Sequence, residues 1–280
     1  MSGNSQKIIA FNYFGGKFTW LDYLYAEVPY DIKHFIDLFG GSFSVSLNYR
    51  GNIIRTANEI NGDITNFFEV LREHTNELMQ KLIFTPCSEL EYNNCWIPSD
   101  NKIEQARRFY VRIRQSFFGL GAQRQNKGWH MAKEQVNCVG GETVSRWNNA
   151  LIKLENVAIE LRKNYQITNQ DYAACIDKID FKQAFFYCNP PYSKRSRKSH
   201  NDYKYEFNDE QHFQLSEKLK TINGYAMISG YDCSLMNELY KDWRKVKFPV
   251  KKNNIRSGEV QECIWMNYSK IKCNGQLNLV

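Results

Sequence analysis

Four consecutive residues, Asn189-Pro190-Pro191-Tyr192, offer the chemistry that an aromatic amine needs. Such an amine has N–H bonds to place and a flat ring to hold. Asn189 brings a side-chain oxygen acceptor. Pro190 and Pro191 stiffen the backbone and have no N–H of their own, and Tyr192 brings a ring to stack on. The run before them, Ala184-Phe185-Phe186-Tyr187-Cys188, is apolar enough for a buried strand. An acceptor at the carboxyl end of a strand lies where open α/β sheets place their ligands. A strand followed by a turn is the plainer reading of a bare Pro-Pro pair. The acceptor before the pair and the aromatic after it favour a site.

Upstream segments could build the rest of a pocket. In Tyr13-Phe14-Gly15-Gly16-Lys17 the glycines let backbone approach a ligand, and Lys17 could meet a carboxylate; an ordinary Gly-Gly turn with a surface lysine reads equally well. Phe35-Ile36-Asp37-Leu38-Phe39 is a short apolar run that stops at Gly40-Gly41, with Asp37 able to accept from an amino group. In Ala57-Asn58-Glu59-Ile60-Asn61 the acid Glu59 could accept from ribose hydroxyls, or the cluster could cap a helix. Asp171, in Asn169-Gln170-Asp171-Tyr172, is a ligand contact or a helix cap.

The elements that must position these residues alternate. Strands are expected at 35–39, 52–57, 165–168, 184–188 and 225–229, with helices at 42–49 (capped by Ser42), 63–82, 171–179, 209–221 and 235–243. That alternation implies a mainly parallel sheet, and two last strands, 244–251 and 260–268, an antiparallel hairpin at its C-terminal edge. The middle differs: 84–100 reads as irregular, 103–118 as a basic, aromatic helix, 119–142 as Gly/Gln/Asn-rich, and 143–163 as helix. The expected organisation is 1–82 and 146–280 as two parts of one catalytic domain, with 83–145 as an inserted, mainly helical domain.

Composition narrows the class. Of 280 residues, 42% are hydrophobic and 24% charged, which suits a globular protein and not a disordered one. No run approaches a membrane span, and Met1 to Lys7 lacks the apolar core of a signal peptide; the expected location is cytoplasmic. The eight cysteines form no C-x-x-C pair, so buried thiols are expected, and no metal. The net charge of +7 gathers in clusters: Arg112, Arg114, Arg124 and Lys127; Lys194, Arg195, Arg197 and Lys198; and Arg244 to Lys252. With 15% aromatic residues, these suit a polyanion whose bases are stacked upon, although any one cluster alone reads as a solvated face.

Together the motifs resemble the Dam-like (alpha) group of DNA adenine-N(6) methyltransferases over most of the length. That group carries (Asp/Asn)-Pro-Pro-(Tyr/Phe), an amino-terminal aromatic-x-Gly-Gly-Lys, and an Arg-x-Ser-Phe-x-Gly stretch that Arg114, Ser116 and Phe117 match, in the order seen here. The resemblance implies a Rossmann-like sheet with a target-recognition insertion. It implies S-adenosylmethionine as cofactor, S-adenosylhomocysteine as product, and a flipped-out adenine of double-stranded DNA as substrate. It assigns Asn189, Pro190 and Tyr192 to catalysis. Tyr13, Lys17, Asp37, Phe39, Gly40, Glu59, Asp171 and Asn189 fall to the cofactor. Arg112, Arg114, Ser116, Phe117, Arg124, Lys127, Lys194, Arg195, Arg197 and Lys198 fall to DNA, reading guanine or holding phosphate. A restriction endonuclease partner belongs to the same expectation. The group usually has Asp where Asn189 stands. A neutral acceptor is weaker by about 1 kcal/mol, about tenfold in rate, so Asn189 implies a slower enzyme that Asp would restore, or a binding protein with an attenuated site. RNA or a protein amide are the other substrates that Asn-Pro-Pro-Tyr suits.

Overall fold

A computed structural model describes residues 7–116, 128–131, 136–137, 140–193, 205–249, 251–252 and 259–269. Its centre is a seven-stranded sheet: β1 (His34–Asp37), β2 (Ile54–Asn58), β3 (Tyr165–Thr168), β4 (Ala184–Cys188), β5 (Tyr225–Tyr231), β6 (Arg244–Lys247) and β7 (Glu262–Met266). The spatial order is β3-β2-β1-β4-β5-β7-β6. Strands β1 to β5 pair in parallel, and β7 runs antiparallel to both β5 and β6. This is the mostly parallel, Rossmann-like sheet that the resemblance implies, with its antiparallel edge where the sequence places it.

Alternation along the strands explains the layers, since successive side chains point to opposite faces. Ile36, Phe186, Ile228 and Trp265 pack together on one face with α8 (Tyr172–Ile179), α9 (Asp209–Lys220) and α10 (Ser234–Leu239). Phe35, Phe185, Met227 and Ile264 pack on the other with Trp20 and with Leu21 and Leu24 of the short helix α1 (Leu21–Tyr25). All five residues of β4 are buried, as its unbroken apolar sequence requires.

A third core joins the expected insertion to the sheet. Phe67 of α3 (Gly62–Glu73) stacks on Tyr110 of α6 (Lys102–Gln115), ring centroids 5.2 Å apart, and Leu154 of α7 (Glu142–Leu161) belongs to the same cluster. Three local expectations are corrected. The single helix over 63–82 is two, α3 and α4 (Thr75–Ile83), broken at His74, whose φ/ψ are −123° and 39°. Arg162 from the end of α7 fills the break, donating to the Arg72 carbonyl and to Thr75 Oγ1. Residues 84–100 are not wholly irregular: α5 (Glu89–Asn94) starts from Ser88, whose side chain accepts from Glu91 N. Helix α2 (Ser44–Asn48) has Phe43, not Ser42, at its N-cap.

Candidate active site

The loop after β1 is shaped by what its glycines exclude. A Cβ on Gly40 would sit 2.6 Å from the Phe43 ring, and one on Gly41, at φ +52°, would sit 2.7 Å from the Tyr13 ring. Phe43 itself adopts φ +57°, a left-handed backbone that costs a side-chain-bearing residue about 1–2 kcal/mol. Full burial of its ring, stacked on Phe68 at 4.1 Å, offsets that strain.

Two carboxylates stand at the ends of the first strands. Asp37 closes β1 and is 2% exposed; its Oδ2 accepts Ser46 Oγ from α2 at 3.0 Å. Tyr165 of β3 hydrogen-bonds the same hydroxyl at 2.7 Å. Burial pushes the Asp37 carboxyl up to about 7, against the opposing effect of the Ser46 bonds. Glu59 follows β2, and its two oxygens accept the backbone N–H of Gly41 at 2.8 Å and of Asn61 at 2.9 Å. Burial raises its carboxyl too, and those backbone donors limit the rise. Asn58 stitches the strand ends together, donating to the Leu38 and Gln170 carbonyls.

Asn189 leaves β4 with both ends of its amide engaged. Its Nδ2 donates to the Gly15 carbonyl at 3.1 Å, and its Oδ1 accepts from Ser229 Oγ of β5 at 2.9 Å. The Gly15 carbonyl can only accept, so it fixes the amide's orientation with Nδ2 turned toward it. Lys17 Nζ donates to the same carbonyl at 2.8 Å, lies 3.5 Å from Glu262 Oε1, and sits 4.7 Å from the centre of the Tyr192 ring. Burial lowers the Lys17 pKa, and Glu262 opposes that shift. Tyr192 is buried, donates to Glu262 Oε1 at 2.5 Å, and takes the Tyr231 ring edge-on at 4.6 Å. The Pro191 carbonyl accepts from His212 Nε2 at 3.1 Å, and the Pro190 carbonyl has no donor among the described residues.

These groups surround a cavity of about 400 Å³, within the usual range for a small-molecule site. Tyr13, Lys17, Asp37, Phe39, Gly40, Glu59, Asp171 and Asn189 all line it. Of the other tetrapeptide residues only Pro191 does; Pro190 and Tyr192 are buried beside it. Asp171 is a helix cap as well, accepting from Ala173 N at 2.9 Å. Sequence reasoning missed several residues here. Gln170 lines the cavity with a buried Oε1 that has no hydrogen-bond partner among the described residues. Phe207, Glu206 and Tyr205 line another side. Glu262 and Ser229 support the tetrapeptide from β7 and β5. An acid opening an otherwise apolar strand, Glu262-Cys263-Ile264-Trp265-Met266, was the one signal on offer.

The cationic residues are partly accounted for. Arg112 pairs with Asp63 Oδ2 at 3.2 Å and lies over the Trp96 ring at 5.3 Å. Arg114 donates to the Arg146 carbonyl at 3.1 Å, and Ser116 is buried at the end of α6. Phe117, Arg124, Lys127, Lys194, Arg195, Arg197 and Lys198 lie outside the described residues. Among the described residues, no group of three or more His, Cys, Asp or Glu converges as a metal site, and no helix is long and apolar enough to cross a membrane.

A sheet of this order, with a glycine loop after its first strand and an acid closing each of the first two, is the ligand-binding half of a Rossmann-like methyltransferase. Residues 13–256 match the family described as D12 class N6 adenine-specific DNA methyltransferase, and the chain belongs to that family. It is also 26% identical, over 283 residues, to the Type II methyltransferase M.FokI of Planomicrobium okeanokoites; the match takes in 92% of this chain and 42% of that protein. The chain therefore spans less than half the length of that relative.

Proposed function

We propose that this chain transfers a methyl group from S-adenosylmethionine to the exocyclic amine of a flipped-out adenine at specific sites in double-stranded DNA. The observation that carries this reading is the Asn189 amide, held by Gly15 and Ser229 at the edge of a cavity whose other walls present Asp37 and Glu59.

The cavity fits the cofactor on its own chemistry. Among the described residues Asp37 accepts through Oδ2 alone, Glu59 accepts from backbone N–H groups that include Gly41 and Asn61, and Gln170 Oε1 has no partner. Asp37 would take the amino group, Glu59 the ribose hydroxyls and Gln170 an adenine amine, with Tyr13 and Phe39 as apolar walls. Lys17 would face the carboxylate. Once bound, S-adenosylmethionine supplies an electrophilic methyl carbon and keeps the electron pair of the broken carbon–sulfur bond as S-adenosylhomocysteine.

The chain's own part is to hold the amine. Asn189 Oδ1 has a second lone pair beyond the one Ser229 uses, and the Pro190 carbonyl takes no donor from the described residues. Accepting the two N–H bonds there keeps the nitrogen lone pair out of the ring and aimed at the methyl carbon. Tyr192 supplies the stacking surface. Fixed acceptors and alignment supply the acceleration, since they need no reorganisation as charge moves. Segment 83–145, anchored through α6, is the proposed target reader. A restriction endonuclease partner and an intracellular site of action belong to the same reading, following the Type II designation of the relative.

The test is radiolabelled methyl transfer to mixed-sequence DNA, followed by long-read mapping of methylated adenines in cells expressing the chain. Label in N6-methyladenine at one short motif is the expected result. Saturable cofactor binding with no label in DNA would support the attenuated reading, and label only in RNA or protein would reverse the substrate.

A further inference from the structure

Glu262 belongs to none of the motifs that define the cavity, yet it is 6% exposed at the start of β7. A carboxylate taken out of water costs several kcal/mol unless its partners are well placed. Among the described residues the Glu262 carboxylate has two, and both are site residues. Its Oε1 accepts the Tyr192 hydroxyl at 2.5 Å and stands 3.5 Å from the Lys17 ammonium. The ammonium in turn lies 4.7 Å from the centre of the Tyr192 ring. The three side chains close a triangle, and each comes from a different stretch of chain: the Gly-Gly-Lys segment, the loop after β4, and the one reversed strand of the sheet.

A tyrosine ring turns about two bonds, and tying its hydroxyl removes most of that freedom. The Tyr231 ring limits the motion from the side, at 4.6 Å. Lys17, for its part, is tied by Gly15 and Glu262 beside the cavity. A single carboxylate therefore governs both the ring assigned to the base and the cation assigned to the cofactor.

We infer that Glu262 is a positioning residue, which sets the plane of the Tyr192 ring and tethers Lys17 so that the base platform and the cofactor wall are held as one unit. This rests on the adenine methyltransferase reading of the site. Two consequences separate it from a role in folding alone. Removing the hydroxyl or its acceptor slows the chemical step at saturating cofactor and DNA. An acceptor without charge preserves most of that step, because the hydroxyl keeps its hydrogen bond.

The experiment measures single-turnover methyl transfer by the full chain, with cofactor affinity by calorimetry and thermal unfolding alongside. Tyr192→Phe is expected to slow transfer by about tenfold, the worth of one hydrogen bond to a charged group, and Glu262→Leu by at least as much, because it also frees Lys17. The double variant should be no slower than the slower single variant, because the Tyr192–Glu262 hydrogen bond is already absent in each. Glu262→Gln should return to within about threefold of wild type. Tyr192→Phe should leave cofactor affinity within about threefold, since the Lys17 pair is intact in it. Multiplying effects in the double variant would overturn the inference, as would a Glu262→Gln enzyme as slow as Glu262→Leu. If Glu262→Leu fails to fold, Tyr192→Phe decides alone, and a wild-type rate overturns the proposal. A wild-type chain that puts no label into adenine overturns the functional reading instead.

Discussion

Replacing Asn189 by Asp asks whether this site is built for an amide. Resemblance to the Dam-like group expects a gain of about tenfold, since a charged acceptor is stronger by about 1 kcal/mol. The local geometry opposes it. The Gly15 carbonyl receives Asn189 Nδ2 at 3.1 Å, and a carboxylate there would set an anionic oxygen against an acceptor. One hydrogen bond is lost, about 1 kcal/mol, and an uncompensated buried charge adds roughly 1–3 kcal/mol. Asp37, Glu59 and Glu262 are buried nearby, and burial already raises all three. Lys17 offsets part of this, but Glu262 shares it. The net is about 1–2 kcal/mol against the variant, a rate roughly 5- to 30-fold below wild type at pH 7.5. Protonation changes the sign, because a neutral carboxyl can donate to Gly15 as the amide does. The ratio of variant to wild-type single-turnover rate, in which the titration of Asp37 cancels, should therefore rise as the pH is lowered toward 5.5. A variant faster than wild type at pH 7.5, or a ratio that is flat with pH, would refute the reasoning.

Asp37 carries two opposite pH dependences. Its folded-state carboxyl is raised from 3.8 to about 7, so its contribution to stability is full below the unfolded value and is lost as the pH rises through 7. Thermal unfolding without cofactor should show wild type losing ground to Asp37→Asn between pH 5.5 and 8; parallel curves would contradict this. Cofactor affinity runs the other way, falling up to tenfold per unit below pH 7 by calorimetry, and Asp37→Asn should flatten it. Gly41→Ala places a Cβ 2.7 Å from the Tyr13 ring at a left-handed φ, so it should weaken cofactor binding and cost about 1–3 kcal/mol in denaturant unfolding. Arg112→Ala breaks the Asp63 pair and bares Trp96, so it should lower the melting temperature while leaving the salt slope of DNA affinity unchanged. A slope reduced by about one would return Arg112 to the phosphate contacts.

What could be read from the sequence was what local chemistry decides. The buried strand β4, the acids closing β1 and β2, and the glycines between them were legible because their residue types have few uses. All eight residues assigned to the cofactor line one cavity. Contacts across the sheet were not legible. Glu262 lies 70 residues beyond the tyrosine it holds, and Ser229 lies 40 beyond Asn189. Only strand pairing brings them together, β7 beside β5 and β5 beside β4. The break at His74 was invisible for the same reason, since the side chain that fills it, Arg162, follows a helix far along the chain. Phe43 misled because a bulky residue at positive φ runs against preference, and only the tertiary stack on Phe68 holds it there.

The buried charges also bear on how the proposed reaction ends. Among the described residues, Asp37, Glu59 and Glu262 stand with one ammonium, Lys17, in or beside one cavity, and burial shifts each toward its neutral form. Such a cluster favours a ligand of net positive charge, because the ligand supplies what the protein leaves uncompensated. S-adenosylmethionine has a sulfonium and an ammonium against one carboxylate, and methyl transfer removes the sulfonium charge. On the proposed reading, the carboxylates that would draw in the cofactor would therefore hold its product less tightly, without touching the methyl group. On the same reading, cofactor binding would offset the stability that burying Asp37 costs, so one residue would tie the fold to its choice of ligand.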